Sequence, residues 1–534
     1  MSQMEIIRRQ IGAASNMFLL IVWFFMGKMV GENAVTYLVV AFGLSYLFVT
    51  IVCGGVPDTV GRMLRSRRNK SQFKNVTRIK QSVLLLQLVF GVVFALILFG
   101  LAGVLCRNVM QMEYCTILVR VMSLFVLIRA FSCMMSGFLQ GEGFELLSSA
   151  VGVLRPVLIW WFSRLFVGKL QEYGTKVSNL LLDENFSAMY AALGVVIAVC
   201  VAELLCLVFL LVIYKGCMIL NKKERQESLR TMDSFATCAM GLVNGRFPLW
   251  ISAFVSVFAV LLGAFIWKRV APTEVDFIGI YSSYVQNCWL ICGILVAVVF
   301  ILSVSVLGKT FEFIRKEDKR FARITFQGGV HISVVHGIFC AVIVAVMAGQ
   351  IVGMLAPVHA DTVLWMLRMG SVAIVPGAVC CFYSRFLIAA GRKLQVMGAY
   401  VLSVIIYTVI NLIVFFLGKW SEKMLIFSGI LLLIVLWIVL GSLAYRLMRA
   451  RVDWVRVLVV PMGAGCVVGL LGMLLGKLFT PHLGNAMTLL VTSLLGIFVY
   501  WMILLLFRNF KEQELDVILG GKLMYALGQV FRVY

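Results

Sequence analysis

The amino-acid sequence predicts an all-α polytopic membrane protein with 14 transmembrane helices, built as two parallel six-helix bundles plus two C-terminal helices. The first observation is composition: 62% of the 534 residues are hydrophobic and 13% are charged, whereas soluble domains have roughly half apolar and about a quarter charged residues. The second is a series of long apolar stretches, and the third is the absence of the strand-like alternation that a membrane barrel requires. These observations exclude a soluble enzyme, a fibre, a disordered chain and a disulfide scaffold.

Each transmembrane helix is predicted from an apolar stretch of about 20 residues, the length needed to cross the hydrocarbon core. The first stretch follows Arg8 and Arg9 but has no small-residue cleavage site at its far end, so we expect it to be retained as a helix. The predicted spans lie near residues 10–30, 34–55, 82–106, 116–137, 146–167, 187–214, 247–267, 277–306, 330–354, 362–388, 397–417, 423–445, 457–479 and 484–507.

The distribution of Lys and Arg predicts the orientation, because these residues are concentrated in cytoplasmic loops. If the N-terminus is cytoplasmic, 32 of the 47 Lys and Arg residues fall in inner loops and tails, nine in outer loops and six inside spans. We therefore predict a multi-pass protein of the cell inner (plasma) membrane with both termini cytoplasmic. The net charge of +23 then reflects this orientation and not a nucleic-acid partner. The basic loop 62–80 is interpreted as an anchor near anionic lipid headgroups.

An internal repeat predicts how the spans are grouped. Spans 4 and 10 align without a gap at an offset of 248, with identical residues at seven of twenty positions. The identical pairs are Arg120/Arg368, Ser123/Ser371, Ala130/Ala378, Cys133/Cys381, Ser136/Ser384, Phe138/Phe386 and Leu139/Leu387. Because six spans separate the copies, the two halves run parallel, as in transporters built from parallel repeats.

The predicted domains follow from this repeat. They are an N-terminal six-helix bundle at 1–214, a cytoplasmic linker at 215–246, a C-terminal six-helix bundle at 247–447, spans 13 and 14 at 448–507, and a cytoplasmic tail at 508–534. Two such bundles favour a transporter whose substrate binds between them near the midplane. Span 13 carries a glycine face that allows close helix packing, which we expect to be with span 14. This face comprises Gly465, Gly469, Gly472 and Gly476.

Arginines inside the spans are the strongest indication of a binding site, because a guanidinium at the bilayer centre requires water, a partner or a ligand. Arg129 shares a helix face with Ser132, Cys133 and Ser136, and Arg155 lies near the middle of span 5. Arg368 is a further candidate in span 10. Glu203 in span 6 could neutralise one of the interior arginines, and positive charge would still be left over. A surplus of Arg favours an anionic ligand such as a phosphate and disfavours an organic cation.

Polar side chains in two spans of the second half form a further candidate lining. Tyr407 and Asn411 lie on one face of span 11, and Tyr281, Tyr284 and Asn287 lie on one face of span 8. They could line a wet cavity and bind sugar hydroxyls, or they could serve only as contacts between helices.

Enzymatic and metal-binding signatures are not found in the sequence. The 14 Cys form no C-x-x-C pair and the four His form no zinc pattern, so no metal site and no cofactor are expected. No nucleotide-binding motif is complete, so we predict that the protein is not an enzyme. Transport could then be driven by an ion such as Na⁺ or H⁺, by the membrane potential or by substrate flux.

A family resemblance rests on the plan of the spans and on SGFLQGEG at residues 136–143, in the short inner loop after span 4, with a weaker copy, SRFLIAAG, at 384–391. With this plan, the chain resembles the multidrug/oligosaccharidyl-lipid/polysaccharide (MOP) exporter superfamily. In particular it is similar to the polysaccharide-biosynthesis and stage V sporulation protein B-like flippases. The resemblance implies a V-shaped pair of bundles and an inner-gate loop at Gln140, Gly141 and Gly143.

The resemblance also implies a function. We expect a monomeric flippase that moves an undecaprenyl-diphosphate-linked oligosaccharide or polysaccharide precursor across the membrane by alternating access, with Arg129 and Arg155 holding the diphosphate. Its partners would be this lipid-linked glycan, membrane lipids and a coupling ion. The alternatives are a cation-coupled multidrug exporter of the multidrug and toxic-compound (MATE) type and a non-transporting membrane scaffold in envelope or spore assembly.

Overall fold

The computed structural model describes residues 3–220, 233–272, 276–417, 421–450, 453–510, 512–515 and 529. Within these residues every regular element is helical, which confirms the predicted all-α class. Among the described residues, thirteen helical stretches are long and apolar enough to cross a membrane. The last of them, Val455–Leu506, contains two predicted spans, because Gly484 breaks it with φ 73° and ψ 171°. Such backbone angles are open almost only to glycine. The expectation of about fourteen spans is therefore confirmed.

The first half of the chain forms eight α-helices among the described residues, and the single residue Gly31 joins the first two. They are α1 (Gln3–Val30), α2 (Glu32–Cys53), α3 (Val56–Arg68), α4 (Phe73–Gly103, continued by a π-helical turn Val104–Val109), α5 (Cys115–Gly141), α6 (Glu145–Leu181), α7 (Asn185–Leu220) and α8 (Phe235–Val270). Gly54 and Gly55 separate α2 from α3, and Gly55 has a left-handed φ of 70°.

The helices of the second half contain three interruptions of regular α-helix. They are α9 (Phe277–Ser283), α10 (Leu290–Arg315), α11 (Lys319–Val346), α12 (Ala348–Leu355), α13 (Ala360–Gly370), α14 (Ile374–Ala389), α15 (Lys393–Phe416), α16 (Glu422–Met448), α17 (Val460–Leu506) and α18 (Glu512–Leu515). Tyr284–Trp289 and Val455–Val459 are π-helical, and Ser371–Ala373 forms a 3₁₀ turn between α13 and α14.

Two predicted loops are largely helical. The basic loop 62–80 contains the end of α3 and the start of α4, and only residues 69–72 lie between these helices. The linker predicted at 215–246 overlaps α7 as far as Leu220 and α8 from Phe235. Residues 221–232 of this linker lie outside the described residues. Both segments are rich in charged residues. A prediction based on apolar stretches therefore did not extend the helices into them.

The residue contacts divide the chain into two compact units. The first unit comprises Val22–Thr273 with Asn411–Gly418, and the second comprises Met1–Ile21, Glu274–Ile410 and Lys419–Tyr534. The helix α8 packs within the first unit, although its residues from 247 onward were placed in the second predicted bundle. Contacts do not show which helices move together. The predicted bundles 1–214 and 247–447 therefore stay a prediction.

The core of the first unit lies where α3 packs against α5. The buried Val60 and Leu64 of α3 face Gly137 and Gly141 of α5, where a methyl group would approach these side chains to 3.0 and 2.5 Å respectively. Small residues at these positions allow the two helices to approach closely. This contact holds α3 beside the end of α5 and the turn that follows it.

The core of the second unit is centred on the aromatic side chains of α11 and α14. Phe326 packs against Phe386 with ring centroids 4.7 Å apart, and both side chains are fully buried. The glycine face of span 13 was expected to pack against span 14, but it lies mainly against α11. A methyl group at Gly465 or Gly469 would meet Val342 of α11, because α17 packs its small residues on that helix.

Candidate functional site

The centre of the candidate site is the carboxylate of Glu203, whose side chain is 1% exposed. Arg129 donates a hydrogen bond from Nη1 to Oε1 over 2.9 Å, and Arg155 donates from Nε to Oε2 over 2.6 Å. A third contact joins Arg155 Nη2 to Oε1 over 3.4 Å. The predicted neutralising role of Glu203 is therefore observed for both arginines at once.

Three helices of the first unit supply these side chains: α5 carries Arg129, α6 carries Arg155 and α7 carries Glu203. Two guanidinium groups share one carboxylate, so the cluster has a formal surplus of one positive charge. The arginine side chains are 25% and 21% exposed, so the ion pair does not enclose them fully. Removing charges from water is costly unless their hydrogen-bonding capacity is satisfied, so the surplus charge favours an anion beside the cluster.

A cavity of about 100 Å³ adjoins the two arginines. Its lining comprises Pro57, Arg129, Ser132, Cys133, Ser136, Ser148, Val151, Gly152, Arg155 and Leu210. The hydroxyl oxygens of Ser136 and Ser148 lie 2.6 Å apart, so one of them donates to the other. Liquid water occupies about 30 Å³ per molecule, and the cavity therefore has room for a few waters or one phosphate group but not for a sugar chain.

The structure brings together five of the predicted binding residues, namely Arg129, Arg155, Glu203, Ser132 and Ser136, all within the first unit. The side chain of Ser132 is buried and donates to the carbonyl of Ile128. Ser132 and Ser136 line the same cavity as Arg129 because all three lie on one face of the helix, as the helical periodicity predicted. Whether any of these residues binds a substrate stays a prediction.

Two other predicted binding residues, Arg368 and Tyr407, lie on the second unit. Arg368 is exposed near the end of α13, and Tyr407 is buried on α15. Asn411, one turn further along α15, is also buried but falls in the segment that clusters with the first unit.

The aromatic part of the second candidate lining makes contacts between helices. Tyr281 and Tyr284 have ring centroids 5.8 Å apart, and Tyr284 donates its hydroxyl to the carbonyl of Leu425 over 3.2 Å. Asn287 is buried, and its side-chain oxygen has no hydrogen-bond partner among the described residues. The contact of Tyr284 agrees with the helix-contact alternative, whereas Asn287 retains capacity for a ligand or a water molecule.

The predicted inner-gate loop is tied to basic side chains of α3 and α4. We call Arg65, Arg68 and Lys80 the basic clamp. Arg65 forms an ion pair with Glu145, and Lys80 forms one with Glu142.

The clamp also contacts the backbone of the loop. Arg65 donates to the carbonyl of Gln140 over 3.0 Å, and Arg68 donates to that of Glu142 over 2.6 Å. Gly141 is the last residue of α5, and Gly143 has a φ of 92°, which a glycine adopts without strain. Part of the basic segment assigned to lipid anchoring therefore holds this turn in place.

Sequence reasoning missed a further interior arginine in the first unit, in addition to Arg129 and Arg155. Arg246 of α8 is 5% exposed and donates from Nη1 to the carbonyl of Val52 over 2.8 Å. Gln87 donates to the same carbonyl over 3.3 Å. A cation at the C-terminal end of α2 is favourable because the last carbonyls of a helix carry partial negative charge. Arg246 had been counted in a cytoplasmic loop, and only the helical continuation of α8 places it in the interior.

Comparisons with known proteins establish the fold. No protein-family model matches the sequence, and no curated protein matches it. Structures of a multidrug resistance MATE family transporter of the MOP superfamily match in its inward-facing conformation, at 13% identity and a TM-score of 0.57, and in its outward-facing conformation, at 14% and 0.59. Each match covers 83% of this chain and 94% of that one.

A third match is a MOP superfamily transporter from Pyrococcus furiosus, at 13% identity and a TM-score of 0.56, covering 83% of this chain and 93% of that one. Its binding pocket is described as having reverse polarity, which suggests a different function for that protein. The chain therefore has the fold of MATE transporters of the MOP superfamily, and this agrees with the predicted resemblance at that level.

Proposed function

We propose that the protein is a membrane transporter that moves a lipid-linked oligosaccharide or polysaccharide precursor, of the undecaprenyl-diphosphate type, across the plasma membrane by alternating access. The observation that carries this proposal is the pair of interior guanidinium groups that share the single carboxylate of Glu203. Arg presents its N–H groups in a planar fork that matches phosphate oxygens, so a surplus arginine beside a small polar cavity suits a diphosphate.

The fold supports the transport step of the proposal. Proteins of this fold are known in inward-facing and outward-facing conformations. A duplicated arrangement with two access states is suited to moving a ligand past a fixed site. The cavity beside Arg129 has room for one phosphate group, so the second phosphate, the glycan and the lipid tail of the proposed substrate must lie outside it.

The orientation, localisation and partners belong to the same proposal. The excess of Lys and Arg in alternate loops supports cytoplasmic termini. Membrane lipids surround the apolar surfaces of the helices, where large side chains such as Leu85, Leu96 and Leu474 are exposed. The transporter acts as a monomer, and Na⁺, H⁺ or the membrane potential drives it.

A cation-coupled multidrug exporter is the second candidate, because two of the matching structures are of a multidrug resistance transporter. The cluster in the first unit argues against this candidate. An organic cation entering the cavity beside Arg129 and Arg155 would meet net positive charge, since Glu203 is the only carboxylate paired with either arginine among the described residues.

The test is transport by the purified full-length protein in liposomes. One assay follows a fluorescent polyprenyl-diphosphate-linked sugar from the inner to the outer leaflet, and the other follows efflux of a fluorescent organic cation under a Na⁺ or H⁺ gradient. We expect movement of the diphosphate lipid and no cation efflux. The reverse result would establish the multidrug candidate, and an inactive but folded protein in both assays would favour the scaffold.

A further inference from the structure

We propose that the first unit contains a second anion site, between α3, α4 and α8, that binds a phosphate group. The site shares no residue with the Arg129–Arg155–Glu203 cluster, and its existence does not depend on the proposed transport function. It is a cavity of about 560 Å³. Its lining comprises Thr59, Arg62, Met63, Ser66, Arg67, Lys70, Ile79, Asp233, Thr237, Cys238, Gly241 and Gly245.

One face of α3 supplies the polar side of this cavity. Thr59, Arg62, Ser66 and Lys70 follow one another at spacings of three and four, which places them on one side of a helix and its extension. The opposite side of α3 packs on α5 through Val60 and Leu64 and carries the clamp residue Arg65. The two sides thus have separate roles, since one fixes the helix and the other faces the cavity.

Glycines of α8 supply the space. Gly241 and Gly245 lie one turn apart on the face of α8 that lines the cavity. A methyl group at Gly245 would approach Thr59 Cγ2 to 2.6 Å, and one at Gly241 would approach Met63 Cε to 3.3 Å. Larger side chains at these positions would fill the volume between α3 and α8.

The cavity carries excess positive charge. Arg67 is already paired with Asp233 over 2.7 Å and with Gln72 over 2.9 Å. Among the described residues, Arg62 makes hydrogen bonds only to the carbonyl of Asp58, over 3.1 Å, and to the hydroxyl of Thr59, over 3.4 Å. In the part of the chain that the structure describes, no carboxylate lies within 4 Å of the Arg62 or Lys70 side-chain nitrogens. Two cations are therefore available to a ligand.

The chemistry of these groups fits phosphate. Arg62 offers a guanidinium fork, Lys70 offers a mobile ammonium, and the hydroxyl groups of Ser66 and Thr237 offer further donors. Met63 and Ile79 add an apolar wall to the same cavity. A phospholipid headgroup or a soluble phosphate compound would present this chemistry, and the two sources are separable by experiment.

The experiment uses the full-length protein in two arms. In the lipid arm, native mass spectrometry compares the retention of phosphatidylglycerol with that of phosphatidylcholine. In the soluble arm, the thermal unfolding midpoint is measured against the concentration of inorganic pyrophosphate. The test variants are the double variant Arg62→Gln with Lys70→Gln, and Gly241→Leu, which keeps every charge and fills the cavity. The matched control is Lys169→Gln with Lys176→Gln, which removes two exposed charges from α6.

We expect the wild-type protein to bind in at least one arm. Both test variants should bind at least about tenfold more weakly, because they remove or block charge-assisted hydrogen bonds to the phosphate. The control should stay within about twofold of wild type. Binding in the lipid arm alone identifies a headgroup, and binding in the soluble arm identifies a free phosphate compound. No binding in either arm, or equal binding by test and control variants, would overturn the proposal. Loss of pyrophosphate binding only in Arg129→Gln would assign that binding to the other cluster and would also overturn it.

Discussion

Arg129 on α5 donates to Oε1 of Glu203, and Arg155 on α6 donates to both oxygens of the same carboxylate, so each arginine depends on a partner that the other also uses. Removing one arginine leaves a neutral pair, whereas removing the carboxylate leaves two guanidinium groups facing each other. The arrangement therefore makes the surplus charge removable without leaving an uncompensated buried ion. This property allows the role of the charge to be separated from its contribution to stability.

The first prediction compares the loss of stability when Glu203 is replaced with the loss when Arg129 is replaced. Glu203→Gln should lower the free energy of unfolding by about 3 kcal/mol, because it leaves buried cations without a counterion. Arg129→Gln should cost about 1 kcal/mol or less, because Arg155 and Glu203 remain paired. Denaturation in mixed micelles measures both values. Equal losses in the two variants would show that the carboxylate is not shared as described.

The second prediction concerns the close contact of α3 with α5. Gly141→Ala should destabilise the protein by about 1–3 kcal/mol, since the new methyl group would overlap Leu64. Gly100→Ala on α4 is the control, because no atom lies within 4 Å of a methyl group there. The double variant Gly141→Ala with Leu64→Ala should lose less free energy of unfolding than the sum of the losses of the two single variants. Strict additivity would contradict the contact.

The third prediction concerns acid stability at the predicted outer end of the first unit. The hydroxyl of Tyr114 donates to the Asp183 carboxylate and, together with the backbone N–H of Asn185, holds the pKa of Asp183 below its ordinary value. A lowered pKa in the folded state contributes stability above the ordinary pKa of about 4, and this contribution is lost as the pH falls through the lowered value.

Tyr114→Phe removes the donor. At about pH 6 its thermal unfolding midpoint should therefore be lower than that of wild type, and this difference should shrink as the pH approaches about 3. Tyr173→Phe, an exposed tyrosine of α6, is the control and should leave the pH profile unchanged. A constant difference between Tyr114→Phe and wild type at every pH would refute the proposed bond.

The fourth prediction concerns the break inside α17. Gly484→Ala should destabilise the protein by about 1–3 kcal/mol, because the backbone angles at this position strain any side chain. Gly463→Ala lies in helical backbone with open space around it and should be neutral or slightly stabilising. The unfolding midpoints of the two variants separate these effects. A tolerated Gly484→Ala would mean that α17 does not turn there.

Much of the fold could be predicted because apolar length alone identifies a membrane helix. The wheel of span 4 also placed Ser132 and Ser136 beside Arg129, and the scarcity of acidic residues within the spans pointed to Glu203 as a partner. These inferences depend on local periodicity and on the cost of a buried charge. They need no knowledge of how distant helices pack.

The parts that could not be predicted depend on contacts between residues distant in sequence. Arg65 and Lys80 reach the turn after α5, which lies more than 60 residues further along the chain. The glycine face of α17 packs on α11, whereas proximity in sequence had favoured the neighbouring span. Charged helix ends were a second obstacle, because the helical residues around Arg246 resemble a loop in an apolar scan.

The most direct test of the central claim is the affinity of the purified protein for a polyprenyl diphosphate, measured for wild type, Arg129→Gln and Arg120→Gln. Arg120 lies on the same helix but is exposed, so its replacement removes an equal charge away from the cluster. We predict that Arg129→Gln weakens binding about tenfold or more and that Arg120→Gln stays within about twofold of wild type. Unchanged affinity in Arg129→Gln, or equal losses in both variants, would contradict a diphosphate site at this cluster.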